Sequence, residues 1–169
     1  METTSRMLKR TEPAKKISRP QTPMMETNEI KAEPVKDTGV GGSSLDNMVS
    51  SCATELMNAA TSFHKLHLKV QGVGSYAAHK ALNELYDAMP EHADTLIEGY
   101  QGVAEKILSY KEVSPRSLDT VADGISYLRD MYGMINKLQG MLPYSEIVNN
   151  LDLVKDSINS AKYKLLFLK

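Results

Sequence analysis

The chain has 169 residues, four histidines, one cysteine, no tryptophan and a formal net charge of −1. A single cysteine, Cys52, excludes an intrachain disulfide framework, and no run approaches the roughly 20 apolar residues of a membrane span. The charge is unevenly spread: residues 1–22 carry Arg6, Lys9, Arg10, Lys15, Lys16 and Arg19 against Glu2 and Glu12, whereas residues 45–169 hold 12 basic and 15 acidic side chains.

Residues 1–44 contain Pro13, Pro20, Pro23 and Pro34 and almost no periodic apolar pattern, the composition of a disordered tail. A basic arm on an acidic body suits DNA contact; a solvated tail fits the same residues. No apolar stretch near residue 1 reads as a secretory signal, so the expected compartment is the cytosol of a cell or of an infected cell.

Order is expected from the Gly-Gly-Ser-Ser run at 41–44. Ser43 followed by Asp46 is a capping pair, and Leu45, Val49, Cys52, Leu56, Ala59, Phe63, Leu66 and Val70 recur at helical spacing. Gly72 and Gly74 end this helix. A second seam runs from Ser75 through Ala78, Leu82, Leu85, Met89, Ala93, Leu96, Tyr100, Val103 and Ile107, with Pro90 predicted to kink it and open a new turn. The pair Ser114-Pro115 predicts the start of a third helix, with Leu118, Val121, Ile125, Leu128, Tyr132, Ile135 and Leu138 on its seam. Gly140 and Pro143 stop it. A fourth starts near Ser145 and carries Ile147, Leu151, Val154, Ile158, Ala161, Leu165 and Leu168. Nothing in 45–169 alternates like a strand, so the expected fold is an all-α four-helix bundle over 45–169 behind the tail.

A polar line runs beside the second seam. His79, Asn83, Asp94 and Glu98 fall near 0°, 40°, 60° and 100° on the helical wheel at about 100° per residue. His67 is next to the seam of the first helix, across the short glycine turn. Imidazole and carboxylate groups without thiolate suit Fe, Mn or Zn, and such groups beside an apolar wall need a partner, whether metal, water or a subunit interface. Each residue alone reads as a hydrogen-bonded boundary His or part of a solvated Asp/Glu face; their combination in one quadrant, with His67 in reach across the turn, is what raises the ligand reading to equal standing. His64 has no ligand role in this pattern, and His92 reads as a surface or outer group. The chain has no P-loop, GxSxG, HExxH or CxxC motif.

The stretch "LHLKVQGVGSYAAHKALNELYDAMPEHADTLIE", residues 66–98, resembles the core motif of the Dps proteins, the starvation-induced mini-ferritins. The resemblance places His67, His79, Asn83, Asp94 and Glu98 at that family's five ligand positions, and "LDLVKDSINSAKYKLLFL" is more loosely similar to its last helix. It implies a ferritin-like fold for the bundle and a homo-oligomeric, dodecameric shell. Iron would be bound at two-fold interfaces, with His67, His79 and residue 83 from one subunit and Asp94 and Glu98 from the other. Iron(II) would be oxidised there by peroxide or oxygen and stored as mineral. Contact with DNA through the basic tail, in a bacterial nucleoid, is also implied.

Four positions depart from the family pattern. Asn83 stands where the family has an acid, a neutral and weaker ligand, and Glu84 points about 100° away from that position. Leu68 stands where a tryptophan is common. The link between helices two and three is short for a crossover that must run the length of the bundle. Pro90 separates His79 and Asn83 from Asp94 and Glu98. A narrower similarity joins "SYAAHKAL" and "DTLIEGYQG" to phage-encoded ferritin-like proteins of unassigned role. It implies a non-catalytic structural or adaptor bundle, with phage structural proteins as partners in a virion or host cytoplasm.

Overall fold

The computed structural model describes residues 43–168. The expectations for the tail, its disorder and the DNA contacts of Arg6, Lys9, Arg10, Lys15, Lys16 and Arg19, fall on residues 1–42, outside the described residues. Within them the chain forms α1 (Ser44–His67), α2 (Ser75–Ala104), α3 (Val121–Gln139) and α4 (Ser145–Phe167), with no strand. The fold is an all-α four-helix bundle.

The first helix starts where the sequence predicts. Ser43 Oγ accepts from the Asp46 amide at 3.1 Å, and Asp46 Oδ2 accepts from the Ser43 amide at 2.8 Å, a reciprocal capping box. The helix ends at His67, not Val70, because the chain turns through Gly72 and Gly74 with φ of +85° and +79°, which glycine adopts without steric cost. Val70 still packs half-buried against the core. The second helix continues unbroken through Pro90, contrary to the expected new turn. Pro90 is on the exposed side, where the carbonyl deprived of its partner can meet water.

The third helix begins six residues later than the Ser114-Pro115 signal suggests. Thr120 and Asp123 form its capping box, with the Thr120 amide donating to Asp123 Oδ2 at 2.8 Å. Residues 105–120 are instead a crossover, and side chains of α1, with Lys69 just past its end, pin it along the way. Lys106 pairs with Asp46 at 2.6 Å, Asn58 donates to the Val113 carbonyl at 2.8 Å, and Lys69 donates to the Leu118 carbonyl at 2.9 Å. The link therefore travels from the start of α1 to its end. A 24-residue helix is about 36 Å long, and 16 extended residues reach roughly 50 Å, so the link has length to spare. Pro115, whose fixed φ suits extended chain as well as a first helical turn, fits this path. Leu118 is buried in the crossover, and Ile107, expected on the α2 seam, is exposed just beyond that helix.

These ties set the directions. The α1 and α2 helices are antiparallel, because Asp46 meets Tyr100 and His67 meets His79. The α4 helix runs against α2, with Gly99 near Ile147, His92 bonded to Ser157 and Glu84 paired with Lys164. The α3 helix starts beside the end of α1, where Gly124 faces Leu66 and Phe63. The result is two antiparallel pairs joined by one long crossover, the connectivity class that includes ferritin-like bundles. The core is one apolar cluster from all four seams, including Leu56, Phe63, Leu82, Met89, Leu96, Tyr127, Leu128, Ile135, Leu151 and Ile158.

Candidate functional site

The five sequence-derived ligand residues divide into two groups on the described chain. His67, at the last turn of α1, is buried; His79, in the second turn of α2, is exposed, and their rings stack with centroids 3.7 Å apart. The glycine turn brings them together by reversing the chain over seven residues. His67 Nδ1 lies 3.1 Å from the His79 carbonyl oxygen. A carbonyl only accepts, so this bond requires the proton on Nδ1, and in the neutral ring the lone pair is then on Nε2.

Asn83 lies one turn beyond His79 and is half-buried. Its Nδ2 donates to Asp87 Oδ2 at 2.6 Å, and its Oδ1 accepts from the Tyr86 hydroxyl at 3.1 Å. The Tyr86 ring stacks on His64 at 4.2 Å and meets His67 edge-on at 5.3 Å. His64, given no role by the sequence pattern, thus belongs to this cluster, as do Tyr86 and Asp87. The available signal was spacing: residues three and four beyond Asn83 on one helix are its neighbours.

Asp94 and Glu98 are exposed further along α2. Asp94 is fifteen residues from His79, about 22 Å along the helix axis, so one chain does not bring the two groups together. Among the described residues, no group of three or more His, Cys, Asp or Glu side chains converges to hold a metal ion. His92, expected as a surface or outer group, is half-buried, and its Nε2 lies 2.9 Å from Ser157 Oγ. Burial lowers its pKa, partly offset by Glu91.

A second polar cluster sits at the opposite end of the bundle. Asp46, 7% exposed, accepts from the Tyr100 hydroxyl at 2.7 Å and from Lys106 at 2.6 Å. Burial alone would raise its pKa, but the bonds from Lys106, Tyr100 and Ser43 outweigh burial and hold the carboxyl well below the usual range. Burial, with the neighbouring carboxylate, pushes the Tyr100 phenol up. This cluster fastens the start of α1 to the end of α2 and to the crossover, so its geometry is that of a structural lock.

The sequence profile of a family described as "Family of unknown function (DUF5856)" matches residues 67–165. The chain belongs to this family. The matched span takes in His67, His79, Asn83, Asp94 and Glu98 together with α2, α3 and most of α4. No curated protein and no solved structure matches the chain. No helix among the described residues is long and apolar enough to cross a membrane.

Proposed function

We propose that the protein is a Dps-like subunit that takes up iron(II) at sites shared between two copies and oxidises it. One observation carries the reading. The α2 helix is continuous, and four of the five residues lie on it as two pairs centred on the midpoint between residues 88 and 89, His79 with Glu98 and Asn83 with Asp94, all of them exposed or half-buried. Two α2 helices packed antiparallel about a two-fold axis at that midpoint set His79 opposite Glu98 of the partner subunit. The same register sets Asn83 opposite the partner subunit's Asp94. One axis satisfies both pairings, as an isologous interface requires. Burying these carboxylates unpaired would cost several kcal/mol each in rough terms, and a divalent cation offsets that cost. The single long crossover adds support at the level of fold.

Iron(II) is the substrate in this reading. His67, whose Nδ1–H is held by the His79 carbonyl, offers Nε2, and a backbone partner on the far nitrogen fixes the ring as in known metal sites. His79 and the partner subunit's Asp94 and Glu98 complete the donors, and the electron passes to peroxide or oxygen. The basic arm would add DNA contact with steep salt dependence. Purified protein is tested for anaerobic Fe(II) binding and peroxide-driven oxidation, with His79→Ala and Asp94→Ala as controls. Both activities should be present in wild type and lost in each variant; equal behaviour of all three overturns the reading.

A second reading, a non-catalytic structural or adaptor bundle such as a phage-particle component, is favoured by Asn83. Its amide is engaged at both ends by its own helix. Solution mass separates the two: a closed multiple of dimers supports the iron-handling reading, and a monomer supports the adaptor.

A further inference from the structure

Asn83 is the weakest member of the proposed ligand set, because an amide is neutral and its two ends have nearly the same shape. Only the oxygen can bind a metal ion; the NH2 group has no lone pair to offer. Which end faces a site is decided by hydrogen-bond partners. In this chain the partners are unambiguous. Asp87 can only accept when ionised, so it takes Nδ2, and the short 2.6 Å separation marks a charge-assisted bond. The Tyr86 hydroxyl donates to Oδ1, occupying one of that oxygen's two lone pairs. The Tyr86 ring is itself held by His64 and the edge of His67.

We propose that Asp87 is a positioning residue for metal binding: it fixes the Asn83 amide so that the carbonyl oxygen is the atom presented to a metal ion. The inference rests on the interfacial iron site proposed above. Asp87 also polarises the amide. A carboxylate bonded to the NH2 group draws electron density toward Oδ1, so part of the negative charge missing at position 83 is restored from one turn away. Carboxylates that orient a metal ligand from behind typically govern affinity by 10–100-fold. The four-residue spacing on an unbroken helix keeps Asp87 in place whether or not metal is bound. Tyr86 acts in the same sense, tying the amide to the His67 side of the site.

The test is an anaerobic titration of the full chain with Co(II) and then Fe(II), read by absorbance and calorimetry. Helicity and melting temperature are measured in parallel. Asp87→Asn should weaken binding about tenfold or more without loss of helicity, and Asp87→Glu should recover part of it. The decisive comparison uses an Asn83→Asp background. There no amide needs orienting, so Asp87→Asn should remove only the attraction of one nearby carboxylate for the cation and weaken binding far less than in the Asn83 background. A clearly smaller loss in the Asn83→Asp background supports the proposal. Equal affinities of wild type and Asp87→Asn overturn it, and so does a similar weakening in both backgrounds, which a merely structural role would give. A wild type that binds neither metal brings down the iron-site reading itself, and this inference with it.

Discussion

Asp46 should be the most consequential polar residue of the bundle, and its removal is a quantitative test of how the crossover is held. Three donors converge on a carboxylate that is only 7% exposed: the Ser43 amide, the Tyr100 hydroxyl and the Lys106 ammonium. In Asp46→Ala the capping box loses its acid, worth about 1 kcal/mol. The Tyr100 hydroxyl, on a residue 3% exposed, is left without its acceptor, which costs about 1–2 kcal/mol. Lys106 is 42% exposed and turns to water, so its pairing adds less than about 1 kcal/mol. The expected loss is about 3 kcal/mol, read as a lower urea midpoint with unchanged slope. Asp46→Asn keeps an acceptor for Tyr100 and should lose about half as much. Acid should expose the same contribution. The folded carboxyl titrates below its unfolded value, so its stabilisation is complete above about pH 4 and is lost as pH falls through the depressed folded pKa. Asp46→Asn should flatten that acid limb. An Asp46→Ala variant within about 0.5 kcal/mol of wild type would refute the argument.

Glycine substitutions should separate by site. Gly133, in α3 with open space around a built Cβ, should gain about 0.5–1 kcal/mol as Ala. At Gly124 the same methyl would meet Leu66 Cδ2 at 2.8 Å, so Gly124→Val should lose about 1–3 kcal/mol; urea denaturation of both checks the contrast. Burial, with a smaller contribution from Glu55, pushes the Cys52 thiol up to about 12. A thiol reagent at pH 8 should therefore react only as fast as the protein opens, and a rapid reaction of the folded protein would contradict this. His92 titrates lower when folded than unfolded. The unfolded chain thus binds more protons below about pH 6.5, and stability should fall as pH drops through that window. His92→Gln should remove this slope from melting curves taken between pH 7 and 5.

The seams were legible because burial imposes a period. Val49, Leu56, Phe63, Leu82, Met89, Leu96, Leu128, Ile135, Leu151 and Ile158 read as core from spacing alone, and all are buried. The Ser43 cap was equally legible, since its partner lies three residues away. The start of α3 was not. Ser114-Pro115 is a sound local signal, but tertiary anchors at Asn58 and Glu55 on α1 and at Lys69 just past its end hold that stretch extended. No property of the segment itself reveals them. Pro90 misled for a related reason: its cost depends on whether the freed carbonyl is solvated, which needs the helix's orientation. At the candidate site, the contact of His67 with His79 followed from the glycine turn. The Tyr86 and Asp87 contacts depended on rotamers that a wheel does not carry.

The distance between the two halves of the candidate site has a thermodynamic consequence. Metal donors must lie about 2 Å from one ion, yet His79 and Asp94 of one chain stand about 22 Å apart on a continuous helix. No side-chain motion closes that gap, so an ion that uses both residue types must join two chains. Binding and association are then linked: an ion that binds only the dimer stabilises it by the free energy of its own binding. Dimerisation tightens metal binding by the same factor. Fe(II) should therefore lower the protein concentration at which dimers form, and Asp94→Ala should abolish that shift while strengthening the metal-free association, because one unpaired carboxylate per subunit is no longer buried. Sedimentation with and without Fe(II) measures both terms. An association constant indifferent to the metal would mean that any iron bound by this protein is held within one chain, away from the α2 stripe.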